Sequence, residues 1–195
     1  MSKHIAGILL AAGKSTRFGA NKLLHPLDSG EPMALQAARH LVTALPDSMA
    51  VIRAADTRLS SLLVQAGLHV VVNEQADAGM GSSLACAVAA NRDADGWVIA
   101  LADMPYIPPS VILAVKNKLV LGAGIALPLY RGQRGHPVGF ARRFAAELQA
   151  LQGDRGAKAI VDNHRACIEF IKCQEPGTVH DVDTPSCLRR QPSPA

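Results

Sequence analysis

The chain has 195 residues, room for one compact α/β domain of ordinary size and not for a second. Hydrophobic residues make up 49% and charged residues 18%, a balance that buries a sizeable core and excludes disorder as the default state. Lys+Arg 20 against Asp+Glu 16 leaves a formal charge of +4, which suits a polyphosphate ligand but gives no support to nucleic-acid binding, and aromatics at 4% deny the stacking surface of a single-strand binder.

In chain order, apolar runs of strand length at 5–10, 50–53, 69–72, 97–101, 124–127 and 167–171 alternate with stretches of helical period. Pro32 opens the first such stretch, in which Leu35, Ala38, Leu41, Val42 and Leu45 recur at three and four residue spacing up to Pro46; further helices are predicted over 58–66, 82–91, 110–119, 142–151 and 155–163. That alternation specifies repeated βαβ units and a mainly parallel sheet with helices on both faces. The domain is expected to span 1–188, leaving 189–195, rich in Pro and Ser, as a flexible tail. Lys3 followed by the run 5–13 imitates a signal peptide, but Lys14, Arg17 and Lys22 follow at once and the run reads better as a buried first strand entering a glycine loop. Cys86, Cys167, Cys173 and Cys187 form no Cys-x-x-Cys pair, which argues against zinc and against a disulfide framework, and no apolar run has the length of a membrane helix. A cytoplasmic protein that touches neither membrane nor nucleic acid is expected.

Ligands of open α/β sheets bind beyond the carboxyl ends of the strands, which directs attention to four segments. Leu10, Ala11, Ala12 and Gly13 lead into a loop that carries Arg17 and Lys22; small residues let backbone N–H groups approach phosphate oxygens, and the two cations add charge. Gly13-Lys14-Ser15 is not a Walker A loop, because Ile8 stands where its first glycine belongs. The segment 73–83 holds Asn73, Gly79, Gly81 and Ser82, with Ser82 predicted to cap the following helix. Asp103 ends an apolar strand with Pro105 behind it, a hard oxygen donor where Mg²⁺ could bridge phosphates; Asp181 and Asp183 offer a second carboxylate. Gly132 to Pro137 reads as a polar hairpin on which His136 would be an exposed, hydrogen-bonded residue. No Ser-His-Asp arrangement and no metal-type histidine spacing can be assembled, which disfavours hydrolysis.

Taken together, these segments resemble the molybdenum cofactor cytidylyltransferases, within the wider molybdopterin nucleotidylyltransferases. The resemblance spans nearly the whole chain and rests on six pieces in order: Leu-Ala-Ala-Gly-x-Ser-x-Arg-Phe-Gly-x-x-Lys-Leu (10–23), Gly-Met-Gly-x-Ser (79–83), Leu-Ala-Asp-Met-Pro (101–105), Gly-x-x-Gly-His-Pro (132–137), Gly-Asp-x-Gly (153–156) and Asp-x-Asp-Thr-Pro (181–185). It implies a single-domain Rossmann-like nucleotidyltransferase fold and transfer of CMP from CTP to the phosphate of molybdopterin with release of pyrophosphate. Leu10, Ala11, Ala12, Gly13, Lys22, Asn73, Gly81, Ser82 and Asp103 would bind the nucleotide. Arg17, Lys22 and Asp103 would be catalytic, Asp103 and Asp183 (or Asp181) would hold Mg²⁺, and Gly135, His136 and Pro137 would contact the acceptor. The product would pass to a molybdenum hydroxylase of the xanthine dehydrogenase type. Guanylyl relatives read Leu-Ala-Gly-Gly where Ala12 stands here, which favours cytosine, whereas Ser186 and Cys187 depart from the usual Glu-Asp after Asp-Thr-Pro. Loop and metal residues alone would equally support another base or a sugar-phosphate acceptor, and a cofactor carrier is the non-enzymatic alternative.

Overall fold

A computed structural model describes residues 3–13 and 21–182. Strands β1 (Ile5–Leu10), β2 (Ser48–Arg53), β3 (His69–Asn73) and β4 (Gly96–Leu101) are parallel, with β1 between β2 and β4 and β3 outside β2. The chain therefore moves outward from β1 through β2 to β3, then returns to β1's other edge as β4. The switch point opens a crevice where β1 and β4 end side by side, Leu10 opposite Leu101.

Side chains alternate across β1. Ile5 and Leu9 enter one core with α1 (Met33–Ala44), α2 (Thr57–Gln65) and α4 (Pro109–Val120), whereas Ala6 and Ile8 enter another with α3 (Met80–Ala90), α5 (Ala145–Gln149) and α6 (Lys158–Asn163). Burial on both faces explains why the central strands read as continuous apolar runs without alternation.

One part of the sheet was not foreseen. Between β4 and β5 (Ile125–Tyr130) lies the antiparallel strand β7 (Val138–Ala141), with the two-residue β6 (Gln133–Arg134) ahead of it and β8 (Ile168–Lys172) parallel to β5 on its far edge. Arg131 and Gly132 both have positive φ, 48° and 83°, as a two-residue hairpin turn of type I′ demands. Pairing runs from Tyr130 with Gln133 and Leu129 with Arg134 to Ala126 with Gly139 and Ile125 with Phe140. The Gly135 N–H still donates to the Pro128 carbonyl at 2.9 Å, but more residues separate Gly135 from Gly139 than separate Pro128 from Ala126, so His136 and Pro137 bulge out of the ladder. The hairpin reading holds for this segment, but its return strand is too short and glycine-bearing to show a strand pattern. Gly139 is required there by packing, because a Cβ would lie 2.7 Å from Val115 Cγ1.

Phe140 is fully buried and opposite Trp97, so its ring fixes β7 to the second core. Phe140→Ala is expected to destabilise the protein by about 3–5 kcal/mol, lowering Tm by roughly 6–20 °C in thermal unfolding; a shift below about 2 °C would mean that β7 contributes little to the core.

Candidate functional site

Two cavities meet at the switch point. The larger, about 510 Å³, is floored by Leu10 and Leu101 and edged by Ala12, Gly13, Asp77, Ser83, Asp103 and Asp154. The smaller, about 310 Å³, is walled by Leu84, Ile99, Leu127 and Phe140 and edged by Arg134, His136 and Lys158. Leu10, Met80 and Leu101 line both, and Met80 is half-exposed between them.

At the larger cavity, Lys22 Nζ donates to Asp103 Oδ2 at 2.9 Å. Local chemistry fixes each partner. Lys22 begins a 3₁₀ turn, Lys22–Leu24, whose preceding residue Asn21 accepts the Leu23 N–H on Oδ1 and donates through Nδ2 to Asp56 Oδ1, both at 3.2 Å. Asp103 follows β4 in a turn closed by the Met104 N–H on the Leu101 carbonyl, and Gln36 Nε2 of α1 binds the Pro105 carbonyl at 3.0 Å. Also at the edge of this cavity, Asp77 pairs with Arg53, which reaches the Ala12 carbonyl as well.

The glycine segment 79–81 meets the Gly-Asp-x-Gly segment directly. A Cβ at Gly79, whose φ is 107°, would lie 2.5 Å from the Gly153 carbonyl carbon, and one at Gly81 would lie 2.9 Å from the Gly153 oxygen. Only glycine admits that approach, and it carries Asp154 to the cavity edge. Gly81 is thus placed against backbone and not against the cavity. Gly79 precedes α3 without a side-chain cap, so Ser82 does not cap the helix: its hydroxyl donates to the Gln75 and Gly79 carbonyls. Asn73 donates to both Ser82 and Ser83 and accepts the Gln75 N–H. Asn73 and Ser82 border a separate shallow groove, and Ser83 takes the place at the nucleotide-sized cavity that the sequence assigned to its neighbour.

Around the smaller cavity, close contacts hold the C-terminal segment. Gly135 admits the Thr178 carbonyl, which accepts the His136 N–H at 2.7 Å, and Gly177 admits the Tyr106 carbonyl. The segment then runs to Val182, whose N–H donates to the Asp103 carbonyl at 3.0 Å. His136 is not the exposed hairpin residue its sequence context predicts. Its Nδ1 is buried with no hydrogen-bond partner among the described residues, and burial pushes the imidazole below the usual histidine range against the opposing pull of Asp103 and Asp181. Arg17 and Asp183 lie outside the described residues. Missed by the sequence were Asp77, Met80, Ser83, Asp154 and Lys158; Asp77, Met80, Ser83 and Asp154 stand inside segments the motifs had already singled out, and only the fold shows which of those side chains face the crevice.

Among the described residues, no three of His, Cys, Asp or Glu converge as a metal site. Asp103 at the strand end, its carbonyl bonded to the Val182 N–H directly after Asp181, fits a hard dication that shares its coordination with phosphate oxygens and water, as Mg²⁺ commonly does. No described helix is long and apolar enough to cross a membrane.

Comparison with known proteins agrees with this geometry. The profile of the MobA-like NTP transferase domain matches residues 7–167. The purine catabolism protein PucB of Bacillus subtilis is 29% identical over 94% of each chain, and nicotine blue oxidoreductase of Paenarthrobacter nicotinovorans is 28% identical over 92% of each. A molybdenum cofactor guanylyltransferase of Burkholderia ambifaria is 34% identical over 57% of this chain and 54% of its own. Among solved structures, Rv0371C of Mycobacterium tuberculosis in complex with manganese superposes with a TM-score of 0.80 at 26% identity, covering 96% of this chain and 97% of its own. A strand-end Asp103 paired with Lys22 at the switch point and the matched profile agree: the chain belongs to the MobA-like NTP transferase family and is a nucleotidyltransferase.

Proposed function

We propose that the protein transfers CMP from CTP to the terminal phosphate of molybdopterin and releases pyrophosphate, acting in the cytoplasm and passing the dinucleotide to a molybdenum hydroxylase. The observation that carries this reading is the pair of cavities sharing the wall of Leu10, Met80 and Leu101. The larger suits a nucleotide, and the smaller, apolar with a polar rim, suits a flat heterocycle better than a sugar, whose hydroxyls would lack partners on aliphatic walls. The guanylyltransferase relative and the six sequence pieces support the cofactor, and Ala12 at the cavity edge supports cytosine over guanine.

Two anionic groups must be brought together, so catalysis reduces to positioning and charge neutralisation. The acceptor phosphate is already ionised near neutral pH and needs no strong base, which leaves His136, with Gly135 and Pro137, to shape the acceptor cavity. Lys22, with Arg17, grips the triphosphate and stabilises charge on the departing pyrophosphate. A divalent ion, Mg²⁺ on this reading and manganese in the Rv0371C relative, would be held by Asp103 together with Asp183 or Asp181. Held by those carboxylates, such an ion would supply Lewis-acid stabilisation of phosphate charge.

Incubation with molybdopterin, Mg²⁺ and each of the four nucleoside triphosphates should release pyrophosphate with CTP at least about tenfold faster than with GTP; equal rates would contradict the cytidylyl assignment. A redox activity on this scaffold, raised by the name of one relative, would release no pyrophosphate at all. Lys22→Ala should lower kcat by ~10²–10³ with a smaller effect on CTP binding, and a raised KM at unchanged kcat would assign Lys22 to uniform binding. Asp103→Asn should abolish turnover while the unfolding transition is retained, since the amide keeps size but loses the charge a dication needs.

A further inference from the structure

Among the described residues three carboxylates edge the nucleotide cavity, and two are engaged: Asp103 by Lys22 and Asp77 by Arg53. Asp154 makes no hydrogen bond or ion pair among the described residues. Asp154 is exposed, but its loop is held by backbone contact, since a Cβ at Gly79 would sit 2.5 Å from the Gly153 carbonyl carbon and 2.4 Å from the Asp154 side-chain oxygen Oδ1. A carboxylate accepts hydrogen bonds only, and against triphosphate oxygens it would repel. Among the groups of a nucleotide, only the ribose hydroxyls and the N–H groups of the base can donate to it.

The chain direction identifies which donor. Asp154 faces the nucleotide cavity, while Gly156, Ala157 and Lys158 immediately after it line the acceptor cavity. This segment therefore spans the junction, where the α-phosphate has to meet the acceptor. The base lies at the far end of a nucleotide from its transferred phosphate, and the sugar lies next to that phosphate.

Resting on the nucleotide-transfer reading above, we propose that Asp154 accepts hydrogen bonds from the ribose hydroxyls of the bound nucleoside triphosphate and so determines selection of ribonucleotides over sugars lacking those hydroxyls. Hydrogen bonds to a charged acceptor contribute enough for roughly 10- to 100-fold discrimination.

The test compares CTP with 2′,3′-dideoxy-CTP, and GTP with 2′,3′-dideoxy-GTP, for the wild-type protein and Asp154→Asn, by kcat/KM with molybdopterin and by equilibrium binding without it. The wild type should favour the ribonucleotide roughly 10- to 100-fold. Asp154→Asn, whose amide oxygen still accepts but carries no charge, should lose part of that preference and Asp154→Ala most of it, by weakening the ribonucleotide while leaving the dideoxy compound nearly unchanged, with an unfolding temperature close to wild type. Equal losses on both sugars would assign Asp154 to the metal or the phosphates and overturn the proposal. A lowered unfolding temperature with unchanged discrimination would also overturn it, assigning the carboxylate to the positive end of α3. If binding shows the sugar preference but no triphosphate yields pyrophosphate, the transfer reading fails and the ribose contact stands.

Discussion

A carboxylate placed alone at the end of a strand repels the phosphates that a nucleotidyltransferase has to hold. The Lys22 ammonium, 2.9 Å from Asp103, removes that repulsion, and much of the fold can be understood as the means of bringing these two groups together. They are 81 residues apart in sequence. They meet because β1 and β4 are adjacent and parallel although β2 and β3 intervene, because Asn21 fixes the turn that begins with Lys22, and because α1 holds the segment after Asp103 through Gln36. The helices covering both faces anchor the strand ends, while the switch in chain direction leaves the crevice open.

The second half of the sheet adds a cavity beside the first. Inserting β7 between β4 and β5 places Phe140 and Val138 at the wall, and the bulge at His136 and Pro137 interrupts the ladder where the rim has to form. Here glycine is used for what it lacks. Gly79, Gly81, Gly135 and Gly177 each admit a backbone segment within a distance that a Cβ would occupy, locking the Gly-Asp-x-Gly loop to α3 and the C-terminal segment to the bulge. The same segment ends on the Asp103 carbonyl through Val182, so the rim of one cavity is joined to the backbone that carries the carboxylate of the other.

What was legible in the sequence divides along physical lines. The central strands and long helices were readable because burial on two faces demands unbroken apolar runs and one-sided helices demand a 3.6 period. β7 was not: Val138 to Ala141 is four residues long, contains Gly139 and owes its conformation to neighbours far away in sequence. Likewise the loop at 10–13, Lys22 and Asp103 could be nominated from their position after strands. Which of Ser82 and Ser83 faces the crevice depends on the helix beginning at Met80, two residues before the predicted cap. Asp154 was within a recognised piece, yet its direction follows only from the contact of Gly153 with Gly79 and Gly81, a tertiary fact that no local pattern encodes. His136 reads as a surface residue by context and is half-buried, with Nδ1 enclosed, because the bulge folds beneath the C-terminal segment.

The central claim is that the two adjoining cavities hold donor and acceptor of one transfer reaction. Its most direct test is a crystal structure of the protein with a non-hydrolysable CTP analogue, Mg²⁺ and molybdopterin. The account predicts the nucleotide in the cavity edged by Ala12, Asp103 and Asp154, the pterin in the cavity edged by His136 and Lys158, and the α-phosphorus at the shared wall of Leu10, Met80 and Leu101, beside Asp103. A nucleotide lying in the smaller cavity, or an acceptor bound away from that wall, would contradict it.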